Sequence, residues 1–323
     1  MKVRLGIIGI GGIGKVHYEN AKKLENVEIE SICDIDKEKL KDYSQYNTFT
    51  DYKQMLDEGG FDGVIISTPV KYHTEQAIYA LKKGYYVFLE KPLSTTLEDA
   101  KKIAKMANGK LMVGFTLRFV EIYQKMKDIL DEKLGKPILM WHIGLGTFPS
   151  TPWLKDPEVS GGILNEHGVH VLYQYVWYAG LPKKVYAKFL YSLGYKVEDS
   201  YIVEIEHESG TESLFMLSWR GGHTWRKWGV DAEKGRVVVE GYTKGQYTIT
   251  SIDGKVIESG ISDGVKDPYM EEIKEFINSI INHRSPIVNE KDGLIVQTIV
   301  EASKKSVSLN KPVSVSELIN IPF

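Results

Sequence analysis

The chain has 323 residues, of which 42% are hydrophobic and 26% charged, and its formal net charge is -2. This composition is typical of a globular protein large enough for two domains. A charge this close to zero provides no overall field for nucleic acid or an anionic membrane. The single cysteine, Cys33, excludes an internal disulfide, and no apolar run approaches the roughly 18 residues of a spanning helix. We therefore expect a cytoplasmic protein with no nucleic-acid or membrane partner.

A glycine-rich turn directly follows the first predicted strand. Val3 to Ile8 is typical of a buried strand, and Lys15 to Leu24 is typical of a helix. The turn between them contains Gly9, Gly11, Gly12, Ile13 and Gly14. The order strand, glycines, helix is the context that a dinucleotide-binding fingerprint requires. Gly9 would make the tight turn, Gly11 would let the backbone approach a pyrophosphate, and Gly14 would let the helix pack closely. The alternative is a glycine turn without a ligand.

An acidic residue follows the second predicted strand. Val27 to Cys33 forms that strand, and Asp34 lies 20 residues beyond the last glycine. A carboxylate at this distance accepts hydrogen bonds from the adenosine ribose and repels the extra phosphate of NADP, so NAD is the predicted cofactor. Asp36 can share this role, and Lys37 or Lys39 can weaken the repulsion, which leaves NADP open. The alternative for Asp34 is a cap for the next helix.

Polar residues also follow two further predicted strands. Thr68 and Pro69 come after the strand Gly63 to Ile66, and His73 begins the next helix. The strand that ends at Leu89 is followed by Glu90, Lys91 and Pro92. Open α/β sheets bind ligands at the carboxyl ends of their strands, so we expect these residues to contact the cofactor. Lys91 is thereby placed for chemistry. The alternatives are a packing histidine and a solvated surface turn.

The remaining elements complete two domains. Helix Leu97 to Met106 and strand Lys110 to Phe115 complete a six-stranded, doubly wound parallel sheet over residues 1–120. Beyond residue 184 the apolar pattern changes to a period of two, which predicts an antiparallel sheet. We therefore expect a dinucleotide-binding domain over residues 1–120 and an α/β domain over residues 121–323 that carries substrate binding and oligomerisation.

Several motifs together resemble one protein family, the Gfo/Idh/MocA oxidoreductases. The motifs are the glycine turn, Thr68-Pro69 with His73, Glu90-Lys91-Pro92, Gly114-Phe115 before Arg118-Phe119, and the segment from Ser160 to His170. The resemblance covers nearly the whole chain. It implies an N-terminal Rossmann domain followed by an α/β domain with a large, open, mostly antiparallel sheet. It also implies a lysine and a histidine that meet at a substrate hydroxyl.

The resemblance implies catalytic roles for three residues. Glu166 and His170 are four apart, so on a helix they share a face and the carboxylate can accept a ring N–H. His170 would take the hydroxyl proton while the hydride leaves, and Lys91 would donate a hydrogen bond to the same oxygen. Glu166, His167 and His170 also have the spacing of metal ligands. We favour a mechanism without a metal, since hydride transfer to nicotinamide does not need one.

The chain departs from the family pattern at three positions. Glu166 stands where aspartate is usual, His167 where an aliphatic residue is common, and Tyr173 where some members have another aspartate. The first change keeps the chemistry, because it lengthens the side chain by one methylene. The other two leave the identity of the substrate open.

Four further residues are candidates for substrate binding. Arg118 and Tyr123 begin an amphipathic helix between the domains, and Trp153 lies in an irregular loop. Trp225 lies in the segment Arg220 to Trp228, which we interpret as a specificity loop because aromatic and guanidinium groups suit sugar recognition. The alternatives are core packing, a lid anchor and a subunit interface. An open sheet leaves one face to cover, so we expect a homo-oligomer, a dimer or a tetramer.

The predicted activity is an NAD(P)-dependent oxidoreductase of the EC 1.1.1 type. It would transfer a hydride between nicotinamide and a secondary ring hydroxyl of a sugar, inositol or sugar derivative. Two alternatives from other classes remain. An NAD-dependent glycosidase would oxidise its substrate transiently and release no net NADH, and a non-catalytic regulator would bind NAD and a sugar without turnover.

Overall fold

The computed structural model describes residues 2–319 in two compact units. The first contains residues 2–116 and 267–294, and the second contains residues 117–266 and 295–319. The sequence predicts one boundary near residue 120, so the structure differs in returning residues 267–294 to the first unit. Among the helices of residues 2–319, none combines the length and the apolar character needed to cross a lipid bilayer.

The first unit is built on a parallel sheet. Its strands are β1 (Val3–Ile8), β2 (Val27–Cys33), β3 (Asn47–Phe49), β4 (Gly63–Ile66), β5 (Tyr86–Leu89) and β6 (Leu111–Val113). They run in the order β3-β2-β1-β4-β5-β6 and every pairing is parallel. Strands β4, β5 and β6 are buried throughout, because helices cover both faces of such a sheet. The strand order reverses between β1 and β4, which confirms the predicted doubly wound fold.

Helices connect these strands. They are α1 (Gly12–Lys22), α2 (Lys37–Leu40), α3 (Tyr52–Glu58), α4 (His73–Lys82) and α5 (Leu97–Ala107), with short 3-10 turns at Lys41–Tyr43 and Val70–Tyr72. Three begin at a side-chain cap: Asp36, Asp51 and Thr96 each accept a hydrogen bond from a first-turn amide. α1 begins at Gly11 without a side-chain cap.

The second unit contains a nine-stranded sheet. Its strands are β7 (Pro137–Thr147), β8 (Pro182–Leu190), β9 (Ser200–His207), β10 (Glu212–Ser218), β11 (Arg220–Ala232), β12 (Gly235–Gly241), β13 (Gly245–Ser251), β14 (Val256–Ser262) and β15 (Val313–Ser314). Their order is β14-β13-β12-β11-β7-β10-β9-β8-β15, and only β7 and β10 pair in parallel. This confirms the predicted mostly antiparallel sheet. The predicted loop Arg220 to Trp228 is wrong, because these residues belong to β11, which pairs with both β7 and β12.

Five helices complete the described chain. They are α6 (Glu121–Ile129), α7 (Pro157–Ser160), α8 (Val169–Ala179), α9 (Pro268–Ile281) and α10 (Glu290–Leu309). Two five-residue segments, Leu130–Leu134 and Leu164–Gly168, are π-helical. The second of these leads directly into α8 and falls inside the motif from which the catalytic residues were predicted.

Helix α9 explains why residues 267–294 belong to the first unit. Its apolar face buries Ile273, Phe276 and Ile280. A Cβ on Gly63 of β4 would lie 2.8 Å from Ile280 and 3.1 Å from Phe276, so the helix packs directly on that strand. An apolar stripe at helical spacing predicts a buried face, but it does not state which sheet the face will cover.

The two faces of the second sheet differ. On β7, Met140 and His142 are buried on the side that α8 covers. Leu139 and Leu145 point to the opposite side and are exposed. Because side chains alternate along a strand, the same division continues onto the neighbouring strands.

Candidate functional site

The glycine turn has the geometry that its sequence predicts. Gly9 has φ +88°, and a Cβ there would lie 2.9 Å from the carbonyl oxygen of Ser67. A Cβ on Gly14 would lie 2.0 Å from the carbonyl oxygen of Gly9. By contrast, a Cβ on Gly11 or Gly12 would meet no atom within 4 Å. The backbone at the start of α1 is therefore open to a close-approaching group, and its amides suit the phosphates of a dinucleotide.

Asp34 is tied to this turn. Its carboxylate accepts the N–H of Ile10 and the N–H of Asp36, each at 2.9 Å, and it is only 7% exposed. The Nζ of Lys39 lies 3.5 Å from the same carboxylate. The cap of α2 is Asp36, which accepts the N–H of Glu38, so Asp34 does not have that alternative role. The predicted ribose-binding carboxylate thus also holds the glycine turn, and it has an ammonium beside it.

His73 connects two loops at this edge of the sheet. It is fully buried, with Nδ1 2.9 Å from the carbonyl oxygen of Pro92 and Nε2 2.9 Å from that of Thr68. Burial lowers the pKa of His73, so the neutral ring donates one hydrogen bond. Both ring nitrogens contact backbone carbonyls, and the contact between His73 and the cofactor stays a prediction. Thr68 donates its hydroxyl to Gln76 at 2.5 Å, and Pro69 is exposed.

Glu90 is buried and holds the main chain at Lys91. One carboxylate oxygen lies 2.6 Å from Nε2 of His17, and the other accepts the N–H of Lys91 at 3.0 Å. Burial raises the pKa of Glu90, but the hydrogen bond and charge of His17 oppose it, and the net direction is downward. Glu90 is therefore a buried acid with a lowered pKa, and its contact with the cofactor stays a prediction. Lys91 is partly exposed, and its peptide bond to Pro92 is cis.

A second buried acid belongs to the same cluster. Glu272 on α9 is fully buried, and one of its carboxyl oxygens accepts the hydroxyl of Thr116 at 3.3 Å. The other oxygen has no hydrogen-bond partner within residues 2–319. Burial, and then the negative charge of Glu90, raise the pKa of Glu272 well above its ordinary value. The pKa values of the two buried acids are therefore shifted in opposite directions, upward for Glu272 and downward for Glu90.

In the second unit, two glycines precede the helical segment that carries His170. Gly161 has φ +76° and Gly162 has φ +98°, which is the left-handed region that favours glycine. A Cβ on Gly161 would lie 2.3 Å from the amide nitrogen of Asn165. That amide donates to the carbonyl of Ser160 at 3.0 Å, and its oxygen accepts from Gln297 at 2.9 Å. The two glycines thus allow the backbone turn that leads into the helical segment, and the hydrogen bonds of Asn165 hold that turn in place.

A buried carboxyl group lies at the start of this segment. Glu198 accepts the N–H of Leu164 at 2.7 Å, and burial raises its pKa. The first turn, Leu164–Gly168, is π-helical, and α8 follows it. Glu166 and His170 therefore lie on either side of a π-to-α junction, and both are partly exposed. The sequence predicts an α-helix throughout this segment, and the structure differs in having a π-helical first turn.

His167 contacts two aromatic or cationic side chains of the sheet. Its Nε2 lies 3.1 Å from a guanidinium nitrogen of Arg226, and its ring centroid lies 4.6 Å from that of Trp219. Arg226 is on β11 beside Trp225, one of the predicted substrate-binding residues. Successive strand residues point to opposite faces, so Trp225 points away and lies opposite Leu145, both being 39% exposed. The structure therefore brings Arg226, and not Trp225, to His167.

The other predicted substrate residues occupy different environments. Tyr123 is fully buried and stacks on Trp228 at 4.7 Å, so its ring belongs to the core. The guanidinium of Arg118 lies 3.9 Å over the ring of Trp177. Trp153 is 37% exposed in a 3-10 turn, as a stacking residue or a lid anchor would be. Within the part of the chain that the structure describes, no group of three His, Cys, Asp or Glu residues is arranged to hold a metal ion.

Family models match both halves of the chain. One, described as an oxidoreductase family with an NAD-binding Rossmann fold, matches residues 3–115, and the C-terminal domain model of the same family matches residues 123–238. This chain belongs to the Gfo/Idh/MocA family. The resemblance that the motifs predict is therefore confirmed, and this Gfo/Idh/MocA protein is an NAD-binding oxidoreductase.

Similar proteins extend over the whole chain. The myo-inositol 2-dehydrogenase of Thermotoga maritima is 25% identical and covers 98% of this chain and 100% of the relative. The inositol 2-dehydrogenase of Salmonella typhimurium is 30% identical over 65% of each chain. Among solved structures, a probable dehydrogenase from Thermotoga maritima superposes with a TM-score of 0.84 at 24% identity, covering 98% of this Gfo/Idh/MocA chain and 100% of the other.

The two kinds of glycine in the turn predict two different mutant behaviours. In Gly11→Val the new side chain meets open space, so we expect the unfolding temperature to stay near the parental value. The affinity for NAD should fall by roughly tenfold or more, because the side chain occupies the path of the phosphates. Gly14→Ala, in contrast, should lower the unfolding temperature, since its Cβ would lie 2.0 Å from a carbonyl oxygen. Calorimetric NAD titration and thermal unfolding measure both. Parental NAD affinity in Gly11→Val would contradict the assigned phosphate position.

Glu272 predicts an unusual pH dependence of stability. Because its pKa is raised in the folded chain, the folded state keeps a proton that the unfolded state releases above about pH 4. Glu272 therefore lowers the free energy of unfolding as the pH rises towards neutrality. Gln cannot titrate, so we expect Glu272→Gln to unfold at a higher temperature than the parent at pH 7, with the difference closing near pH 4.

Circular dichroism melts across this pH range provide the measurement, with Glu271→Gln as the matched control. Glu271 lies on the same helix and is ion-paired to Lys274 at the surface. A Glu272→Gln protein that is no more stable than the parent at neutral pH would show that Glu272 is ionised in the folded chain.

Proposed function

We propose that this protein transfers a hydride between NAD and a secondary ring hydroxyl of a sugar, inositol or related polyol. The main support is that buried carboxyl groups hold the backbone of the two segments that carry Lys91 and His170. Lys91 follows a strand whose end is held by the buried Glu90, and His170 follows a glycine pair and a buried carboxyl cap. The relatives named as inositol 2-dehydrogenases support a polyol substrate.

The chemistry needs one base and one hydrogen-bond donor. His170 would accept the hydroxyl proton on oxidation and return it on reduction, while Glu166 would orient the imidazole. The ammonium of Lys91 would donate to the same oxygen and stabilise its developing negative charge. Bound NAD supplies the hydride acceptor. This role requires Lys91 and His170 to reach a single substrate oxygen, and that is the point on which the proposal depends.

We further propose that NAD is preferred over NADP. Asp34 lies at the predicted ribose position, and its negative charge would repel a ribose phosphate. Lys39, 3.5 Å from that carboxylate, weakens this repulsion without removing it. NADP therefore remains a usable second cofactor.

We also propose a cytoplasmic location. The single cysteine, Cys33, is buried, and burial raises the pKa of its thiol to about 12. Such a thiol is a packing group with little reactivity. A chain with one inert cysteine suits a reducing compartment.

Replacing the two proposed catalytic residues tests the function. We expect Lys91→Ala and His170→Ala each to lower kcat by about 10²- to 10⁴-fold, because a positioned acid-base group contributes that much. NADH formation is followed by absorbance with inositols, aldoses and sugar derivatives, and NAD affinity should stay near the parental value. Lys82→Ala and His223→Ala are matched controls, since both replace exposed side chains.

Each outcome separates the activity classes. Net NADH from a free polyol supports the dehydrogenase. Bond cleavage of a glycoside without net NADH would instead identify a glycosidase, and NAD binding without any turnover would identify a regulator. Near-parental rates of both alanine variants on the true substrate would show that Lys91 and His170 do not have the proposed catalytic roles.

We propose that the exposed face of the nine-stranded sheet pairs with a second copy of this chain. Exposed apolar side chains lie together on four adjacent strands of this face: Leu139 and Leu145 on β7, Ile202 on β9, Leu214 on β10 and Trp225 on β11. A contiguous apolar patch in the middle of an open sheet is typical of an interface. A two-fold dimer would place this patch of one copy against the same patch of the other.

A charge in this patch should change the assembly. We expect Trp225→Asp to convert the protein to a smaller species, because an uncompensated carboxylate would be buried in the interface. Sedimentation velocity measures the mass of each form. Ile252→Asp is the control, since Ile252 is highly exposed in the hairpin between β13 and β14. A Trp225→Asp protein with the parental mass would contradict this interface.

A further inference from the structure

Arg226 is a partly buried cation that contacts an aromatic ring and an imidazole. Its guanidinium carbon lies 4.2 Å over the ring of Tyr242, and one guanidinium nitrogen lies 3.1 Å from Nε2 of His167. Guanidinium groups only donate, so Nε2 of His167 must accept and the ring proton of His167 lies on Nδ1. His167 is therefore neutral in this pair. Neither contact offers the negative charge that a partly buried arginine ordinarily requires.

The surroundings of Arg226 are rich in buried hydrogen-bond donors. Tyr123 and Trp228 stack on each other, and Tyr242 lies 6.4 Å from the ring of Tyr123. The Oη of Tyr123 and the Nε1 of Trp228 are buried and have no hydrogen-bond partner among the described residues. Buried polar atoms are normally paired, so unpaired donors near a cation indicate a place for an acceptor.

The charge of Arg226 reaches this region. Burial, and then the positive charge of Arg226, lower the pKa of His142 to about 3. His142 lies directly across from Trp228 in the pairing of β7 with β11. The guanidinium charge therefore acts on a buried group of the covered face of the sheet, where screening by water is weak.

Arg226 also contacts the segment that carries the proposed base. Its partner His167 lies in the π-helical turn Leu164–Gly168, which leads directly into α8 and His170. All of these groups belong to the second unit.

We propose that Arg226 binds a carboxylate of the substrate, so that the protein acts on ring-form sugar acids in preference to their neutral counterparts. A planar guanidinium fork matches a carboxylate, and one cation balances a single negative charge better than a dianionic phosphate. The reaction stays balanced: the carbinol C–H leaves as hydride to NAD, the hydroxyl proton goes to His170, and the carboxylate is unchanged. The inference rests on the proposed dehydrogenase function.

Matched substrates test this inference. Glucuronate and glucose, and galacturonate and galactose, differ in one terminal group, and glucose 6-phosphate provides a phosphate arm. We expect kcat/KM to be about 100-fold higher for the best acid than for its neutral partner, as for a buried charge pair. Arg226→Met should remove this ratio, and Arg226→Lys should retain part of it. Arg236→Met is the control, because Arg236 is exposed and paired with Asp231.

A binding measurement keeps the inference separate from the activity. With NADH present, each acid should raise the unfolding temperature of the parent more than its neutral partner does, and Arg226→Met should abolish that difference. Turnover of acids and neutral sugars at equal rates would overturn the carboxylate site and leave the dehydrogenase intact. Acid-specific thermal shifts without turnover would support the site and overturn the proposed function. Equal shifts from acids and neutral partners, or a preference for the phosphate, would overturn the carboxylate site whatever the activity.

Discussion

Buried polar contacts hold the loops at the carboxyl end of the parallel sheet. The Glu90 carboxylate joins His17 of α1 to the main chain of Lys91, and the imidazole of His73 joins the loops that follow β4 and β5. Ser67 donates its hydroxyl to the carbonyl of Gly9 at 2.7 Å. Removing one partner of a buried pair costs about 3–5 kcal/mol, so these loops have a defined arrangement before any ligand arrives. The cofactor cradle and the lysine are thereby fixed relative to each other within the first unit.

The second unit uses the same kind of support for its own functional segment. Glu198 receives the first amide of the segment, and Asn165 is held from both sides by Ser160 and Gln297. Pre-formed polar supports of this kind reduce the reorganisation needed when a substrate binds. They also explain why two glycines with positive φ precede the helix, because any side chain at Gly161 would displace Asn165.

The sequence predicts the fold well where patterns are local. The strand-glycine-helix order and the period-two segments place most elements, whereas the catalytic roles of Lys91 and His170 stay predictions. The segment Arg220 to Trp228 was predicted as a loop because its glycines and charges are typical of loops. In the structure the flanking strands β7 and β12 supply the hydrogen bonds that make it a strand. Pairing between distant segments overrides local propensity, and a single sequence does not show it.

Site residues were missed for a related reason. His17 and Glu272 lie on buried helix faces. In the sequence, only the presence of a polar residue within an apolar stripe indicates that they are unusual. Their meeting with Glu90 joins three distant parts of the chain. Arg226 was passed over in favour of its neighbour Trp225, although the alternation of strand residues separates the two once the segment is known to be a strand.

The double role of Asp34 limits how the cofactor preference of this enzyme can be engineered. Its carboxylate is the proposed ribose ligand and also accepts the N–H of Ile10 in the glycine turn. A substitution that admits a ribose phosphate would remove that anchor too, so specificity and loop order change together. Lys39 carries no such structural duty in its contact with Asp34, being largely at the surface. Redesign towards the phosphorylated dinucleotide is therefore better begun around Lys39, where added positive charge leaves the turn intact.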